Sequence, residues 1–207
     1  MKTAAVTTLA IVGFIIVAAC GRGRGGGSSF AFPADSMHEG DLVFRRGNGV
    51  ASHAVVGADP DGRYSHIGIL ALDGGEMKVV HSVPGETVED GAPDRVKAEA
   101  VRSFFAHDKA SEGALLHFTG DSTVARRAAR LALGLAARGV EFDHDYDLTD
   151  TARLYCTELV HLVYSRCGID VTEGRRTHLS MPGFTGEYIM PSDIYNSRLF
   201  EVKYTFY

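Results

Sequence analysis

Hydrophobic and polar positions alternate with a period of two in several short runs. Tyr64 to Leu70 (YSHIGIL) and Met77 to Val83 (MKVVHSV) do so most clearly, with β-branched residues at the apolar positions. Asp41 to Phe44, Arg95 to Val101, Ala114 to Phe118 and Phe200 to Phe206 are further strand predictions. The pattern changes to a helical period over Ser122 to Ala137 (STVARRAARLALGLAA), with Asp121 or Ser122 as N-cap and Gly139 beyond the end. A second helix is predicted from about Tyr155 to Cys167, with Gly168 at its C′ position. Strands and helices follow one another without a βαβ rhythm, so the expected class is α+β.

The start of the chain has a different character. Lys2 precedes a run from Ala4 to Ala19 that is apolar except for Thr7 and Thr8. It is shorter than the ~20 apolar residues of a spanning helix and ends in Val17-Ala18-Ala19-Cys20, so residues 1–19 read as a secretory signal. Small residues followed by a cysteine resemble the bacterial lipoprotein box, which implies lipidation of Cys20 and attachment to a membrane of the cell envelope. An ordinary signal peptide with an incidental cysteine is the alternative. Arg22 after Gly21, in place of an aspartate, favours the outer membrane. Residues 20–29 (CGRGRGGGSS) form a tether that buries nothing, and residues 30–207 read as one domain.

Asp73-Gly74 is a two-residue hairpin signal between the two best strands. With those two residues as the loop, His66 falls directly opposite His81, on the same face. Two unrelated sheet histidines are the alternative. Cys156 begins the apolar run of the second helix, where free N–H groups carry partial positive charge. That position, with an imidazolium nearby, lowers reactive thiols to roughly 3.5–7.5, so Cys156 is expected to ionise easily and act as a nucleophile. Cys167, eleven residues on in the same predicted helix, would lie about 16 Å away, too far for a disulfide.

Composition then narrows the classes. The 207 residues carry a formal net charge of -5 with 45% hydrophobic content, which excludes a disordered chain and gives no basic footprint for nucleic acid. Three cysteines are too few for a disulfide scaffold.

Four motifs in order carry a family likeness. Gly40-Asp41-Leu-Val-Phe44, Tyr64-Ser-His66-Ile-Gly68-Ile, Tyr155-Cys156-Thr-Glu158-Leu-Val and Pro191-Ser-Asp193-Ile resemble the permuted NlpC-type papain-like hydrolases of the YiiX/YaeF group, over about Gly40 to Val202. The resemblance implies a circularly permuted papain-like fold, in which an antiparallel sheet or small barrel packs on the helix bearing the catalytic cysteine. It also implies covalent chemistry. Cys156 attacks an acyl carbonyl, His66 shuttles the proton and His81 orients His66. His81 stands where YiiX-like members often have an acid, so the chain departs toward the two-histidine version of the related lecithin:retinol-type acyltransferases. The Cys156 amide is an oxyanion donor in this scheme, and Tyr64, expected on the His66 face of its strand, is a second candidate.

Other clusters are set aside. Asp143-His-Asp145-Tyr-Asp147 opens like a calcium loop, but Leu148 and Leu154 stand where Gly and Glu are needed. Its acids are expected at the cleft rim or in solvent. Glu158 is expected to serve its helix, and His53 to be an exposed loop histidine. His38, His107, His117, His144 and His178 show no ligand spacing, so neither a metal set nor a cofactor is called. Three functions follow: an envelope amidase or endopeptidase acting on a peptide or small acyl substrate, plausibly peptidoglycan-derived; a lipid-directed thiol acyltransferase or esterase; or a non-catalytic binding lipoprotein. A long apolar cleft would favour the lipid reading, and a short polar groove with Asp143 or Asp145 at its rim the amino-acid amide.

Overall fold

In a computed structural model of the protein, residues 32–86, 91–181 and 184–207 are described. The signal, Cys20 and the tether lie outside them. Among the described residues no helix is long and apolar enough to cross a membrane.

The alternating runs form the strands of one sheet: β1 (Leu42–Arg46), β2 (His66–Asp73), β3 (Glu76–Ser82), β4 (Val96–Ala100), β5 (Glu112–Phe118) and β8 (Phe200–Phe206). All neighbours are antiparallel, in the order β4-β3-β2-β1-β5-β8. Because successive side chains point to opposite faces, each strand feeds two cores. On one face Leu42, Phe44, Ile67, Ile69, Val80 and Leu116 meet helices α3 (Ser122–Ala137) and α4 (Cys156–Ser165). On the other, Val43, Leu70, Val79 and Leu115 meet Phe104 and Phe105, at the end of the short helix α2 (Val101–Phe104) and just after it.

Helix α3 has the predicted bounds, and its N-cap is Asp121, whose side chain accepts the Thr123 N–H at 2.7 Å. Its buried stripe is Ala125, Ala128, Ala129, Ala132 and Leu135, and the four alanines are small enough for close approach to the sheet. The approach is closest at Gly40, where a Cβ would stand 2.6 Å from that of Ala125 and φ is +90°. Only glycine meets both conditions. Helix α4 stops at Ser165, so Cys167 lies in the turn beyond it rather than in the helix.

Besides α2, further elements lie outside the sequence expectation. Helix α1 (Val50–Ala58) follows β1, β6 (Thr177–Met181) pairs with β7 (Phe184–Tyr188) in a separate ribbon, and α5 (Pro191–Tyr195) precedes β8. The central hairpin also differs. Asp73 pairs with Glu76 and Ile69 with Val80, so the loop is Gly74-Gly75 rather than Asp73-Gly74. Both glycines have positive φ, as a two-residue hairpin turn requires. This moves the register by two residues and puts Gly68, not His66, across from His81. An even shift keeps every side chain on its face.

Candidate active site

The start of α4 is held from three directions. The Tyr155 N–H donates to the Glu158 carboxylate at 3.2 Å, which confirms Glu158 as a helix-start residue. The Thr157 hydroxyl donates to the Ile189 carbonyl at 2.6 Å, and the Ser82 hydroxyl donates to the Leu154 carbonyl at 2.7 Å. The last bond ties the residue after His81 to the segment leading into Cys156. Residues 189–193 are fixed in turn by Asp193, which accepts the Met190 N–H at 2.8 Å and the Thr177 hydroxyl. The Pro191-Ser-Asp193 motif therefore buttresses the helix that carries the cysteine.

His66 and His81 are diagonal neighbours on one face. Gly68 across from His81 leaves the space through which the two rings meet, Nε2 of His66 lying 2.8 Å from Nδ1 of His81. The diagonal continues. Lys97 is directly opposite His81 on β4, and Glu99, two residues on, brings Oε1 to 2.9 Å from His81 Nε2, close but out of line for a straight hydrogen bond. The Phe104 ring stacks on His66 and meets His81 edge-on. Arg45, opposite His66 on β1, lies over Phe104, donates to the Phe104 carbonyl and pairs with Glu86. Lys97 and Lys109 complete the charged network.

Burial dominates the electrostatics. It pushes both His66 and His81 well below the usual histidine range, and Arg45 adds to the effect. Despite burial, Arg45, Lys109 and Lys97 hold Glu86 down to about 2. Burial pushes the Cys156 thiol up to about 11, although N–H groups of Ile67, Thr157 and Cys156 itself oppose it. The expectation of an easily ionised thiol beside an imidazolium is thus corrected. His66 is buried and Cys156 partly so at the cleft floor, and the desolvation of each charge opposes the helix terminus. Both shifts run in the direction that favours the neutral forms, thiol and imidazole.

Cys156 and His66 open on one cleft of about 840 Å³. Most of its wall is apolar, with Val55 and Ala58 from α1 on one side and Leu179, Met181, Phe184 and Ile189 on the other. Arg45, Glu86, Asp108 and Lys109 supply its charged groups. Helix α1 escaped the sequence reading because it buries no residue in the core; its apolar side borders the cleft instead.

Two expectations change here. Tyr64 does not line the cleft: it packs between Phe44 and Tyr195 in the helix-side core, so it is no oxyanion donor. It precedes β2, and the strand alternation does not extend back to it. Asp143 is not at the rim. It is fully buried and accepts the N–H groups of Asp145 and Asp147 at 2.9 and 2.6 Å. This staple holds Tyr146 at φ 54°, a left-handed conformation rare for a tyrosine, with its ring on the cleft wall against Tyr155. Tyr146, Glu99 and Ser82 are the site residues that spacing alone missed. His53 is exposed, as expected, but lies on α1 rather than in a loop. Away from the cleft, His38 and His117 converge on Asp41, three potential ligands that the sequence keeps apart.

Comparison with known proteins gives a consistent family. The profile described as "Permuted papain-like amidase enzyme, YaeF/YiiX, C92 family" matches residues 36–181. No curated protein matches significantly. Among solved structures, one titled as the metalloprotein yiiX from Escherichia coli O157:H7 is similar with a TM-score of 0.63 and 17% identity, covering 81% of this chain and 96% of its own.

Proposed function

The chain belongs to the permuted papain-like amidases of the YaeF/YiiX family and is a cysteine hydrolase on that fold; from that premise we propose that Cys156, His66 and His81 cleave an amide through an acyl-enzyme. The observation that carries this reading is the 2.8 Å contact from the buried His81 to His66, which opens on the same cleft as Cys156. Glu99 beside His81 Nε2 favours a proton on that nitrogen. His81 Nδ1 then accepts from His66 Nε2–H, which leaves the lone pair of His66 on Nδ1. As Cys156 Sγ bonds to the carbonyl carbon, its proton passes to His66 Nδ1. The same proton goes to the leaving amine as the C–N bond breaks, and water cleaves the resulting thioester. The Cys156 amide and the Tyr146 phenol are the oxyanion donors of this scheme.

The apolar cleft wall favours a substrate with an apolar acyl portion over a polar, peptidoglycan-derived stem peptide. It equally supports a second reading, acyl transfer or esterolysis on a lipid. Attachment to the cell envelope through lipidated Cys20 belongs to the same proposal. The test is hydrolysis of N-acyl amides of increasing chain length beside amino-acid amides, with mass spectrometry of the quenched protein. A thioester on Cys156 and rates that rise with chain length are expected. Full activity in Cys156→Ala would overturn the mechanism, and preference for unacylated amino-acid amides would overturn the substrate class.

A further inference from the structure

We propose that His38, Asp41 and His117 form a binding site for one divalent transition-metal ion, separate from the catalytic cleft. One ligand atom from each lies within 4.8 Å of the others. His38 Nδ1 is 3.4 Å from Asp41 Oδ2, and His117 Nδ1 is 2.8 Å from Asp41 Oδ1. Around a tetrahedral ion with bonds of ~2.1 Å, neighbouring ligand atoms stand about 3.4 Å apart. The two rings meet different oxygens of the one carboxylate, at spacings near that value for His38 and somewhat below it for His117.

The carboxylate is positioned independently of both rings. Asp41 is 1% exposed and accepts the backbone N–H groups of His38 at 2.9 Å and Phe118 at 3.3 Å. Such outer bonds orient a ligand before an ion arrives. His38 is largely exposed and His117 half-buried, so an ion has access. Two imidazoles and one carboxylate suit Zn²⁺, Co²⁺ or Ni²⁺ better than Mg²⁺ or Ca²⁺, which prefer all-oxygen shells. Glu201 faces His117 across the β5–β8 pairing, on the same side of the sheet, and supplies a carboxylate for a fourth position. It now pairs with Lys203.

The site lies at the opposite end of β1 from Arg45, which borders the cleft. It joins the segment entering the sheet, through His38, to β5, through His117. A bound ion therefore clasps the N-terminal entry of the fold and stabilises it without touching the reaction.

The full chain, stripped with EDTA and dialysed, is titrated with ZnCl₂, CoCl₂ and MgCl₂ by calorimetry, and its thermal midpoint is followed in parallel. One Zn²⁺ per chain, a raised midpoint and the intense visible absorption of four-coordinate Co²⁺ are expected, with no response to Mg²⁺. His38→Ala, a change at an exposed side chain, should weaken Zn²⁺ binding at least tenfold, and Cys156→Ser should leave it unchanged. Absence of Zn²⁺ binding, binding indifferent to His38→Ala, or binding lost in Cys156→Ser would each overturn the assignment.

Discussion

Alkylation of Cys156 separates two states that a cysteine–histidine pair can occupy at rest. Iodoacetamide reacts with the thiolate, so its rate follows the ionised fraction. Burial pushes this thiol up to about 11. Against an ordinary thiol at about 8.5–9, the thiolate population at neutral pH falls about 100- to 300-fold. A more basic sulfur is a better nucleophile. With the dependence known for thiol–disulfide exchange, roughly tenfold is recovered, leaving Cys156 about 10- to 30-fold slower than a free thiol. The rate is measured from pH 6 to 9.5 by peptide mass spectrometry, which resolves Cys156 from Cys167. It should rise tenfold per pH unit with no plateau. His66 is neutral over the same range, because burial, Arg45 and His81 all disfavour its cation. His66→Ala should therefore leave the alkylation profile nearly unchanged while lowering turnover by about 10²–10⁴-fold, the usual contribution of a general base. A plateau below pH 8, abolished by His66→Ala, would refute this reasoning and establish a resting thiolate–imidazolium pair.

The depressed histidines also set an acid limit. Below about pH 6.5 the unfolded chain binds protons that His66 and His81 refuse, so their stabilisation is lost as pH falls, with a limiting slope of about 2.7 kcal/mol per pH unit for the two. Glu158, raised by burial to about 8, acts in the opposite sense over the same range, its contribution falling as pH rises. The informative quantity is thus the difference between wild type and His66→Gln in urea unfolding from pH 5 to 6.5: about 1.4 kcal/mol per pH unit less slope in the variant, with equal slopes contradicting a neutral buried pair. Glu99→Gln should lower kcat about 10- to 100-fold with little change in KM, because it frees the tautomer of His81 without touching the cleft; an unchanged kcat and pH–rate profile would remove Glu99 from the chain of contacts. Cys20→Ser should abolish metabolic palmitate labelling, and unchanged labelling would rule out the lipid anchor.

Much of the fold was legible because period and capping carry it. The Asp121 cap and the alanine stripe define α3, and alternation defines the six sheet strands. Two of the elements that escaped share a cause: their apolar face meets something other than the core. Val50–Ala58 lacks a polar stripe because one side borders a cleft. Thr177–Met181 and Phe184–Tyr188 form a two-stranded ribbon whose residues are mostly exposed, so its burial contrast is weak. The exposed Phe184 and Met181 on it read as cleft wall only once the fold brings them beside Tyr146.

The histidine pair survived an incorrect register for a physical reason. Displacing the loop from Asp73-Gly74 to Gly74-Gly75 shifted the pairing by two, an even number, so His66 and His81 stayed on one face and became diagonal rather than opposed. Diagonal neighbours lie ~7–8 Å apart, within reach of imidazoles but not of short side chains. The reach also needs an empty position between them, which Gly68 provides: a Cβ there would meet Val79 and His81 at 2.3 and 3.2 Å. The same offset repeats from His81 to Glu99, so the proton-holding chain runs obliquely across three strands. The residue directly opposite His81 is Lys97, a cation that would favour the other tautomer, whereas the diagonal brings the Glu99 carboxylate to His81 Nε2. The glycine of the His-x-Gly motif thus belongs to the proposed catalytic arrangement as much as to the packing of the sheet.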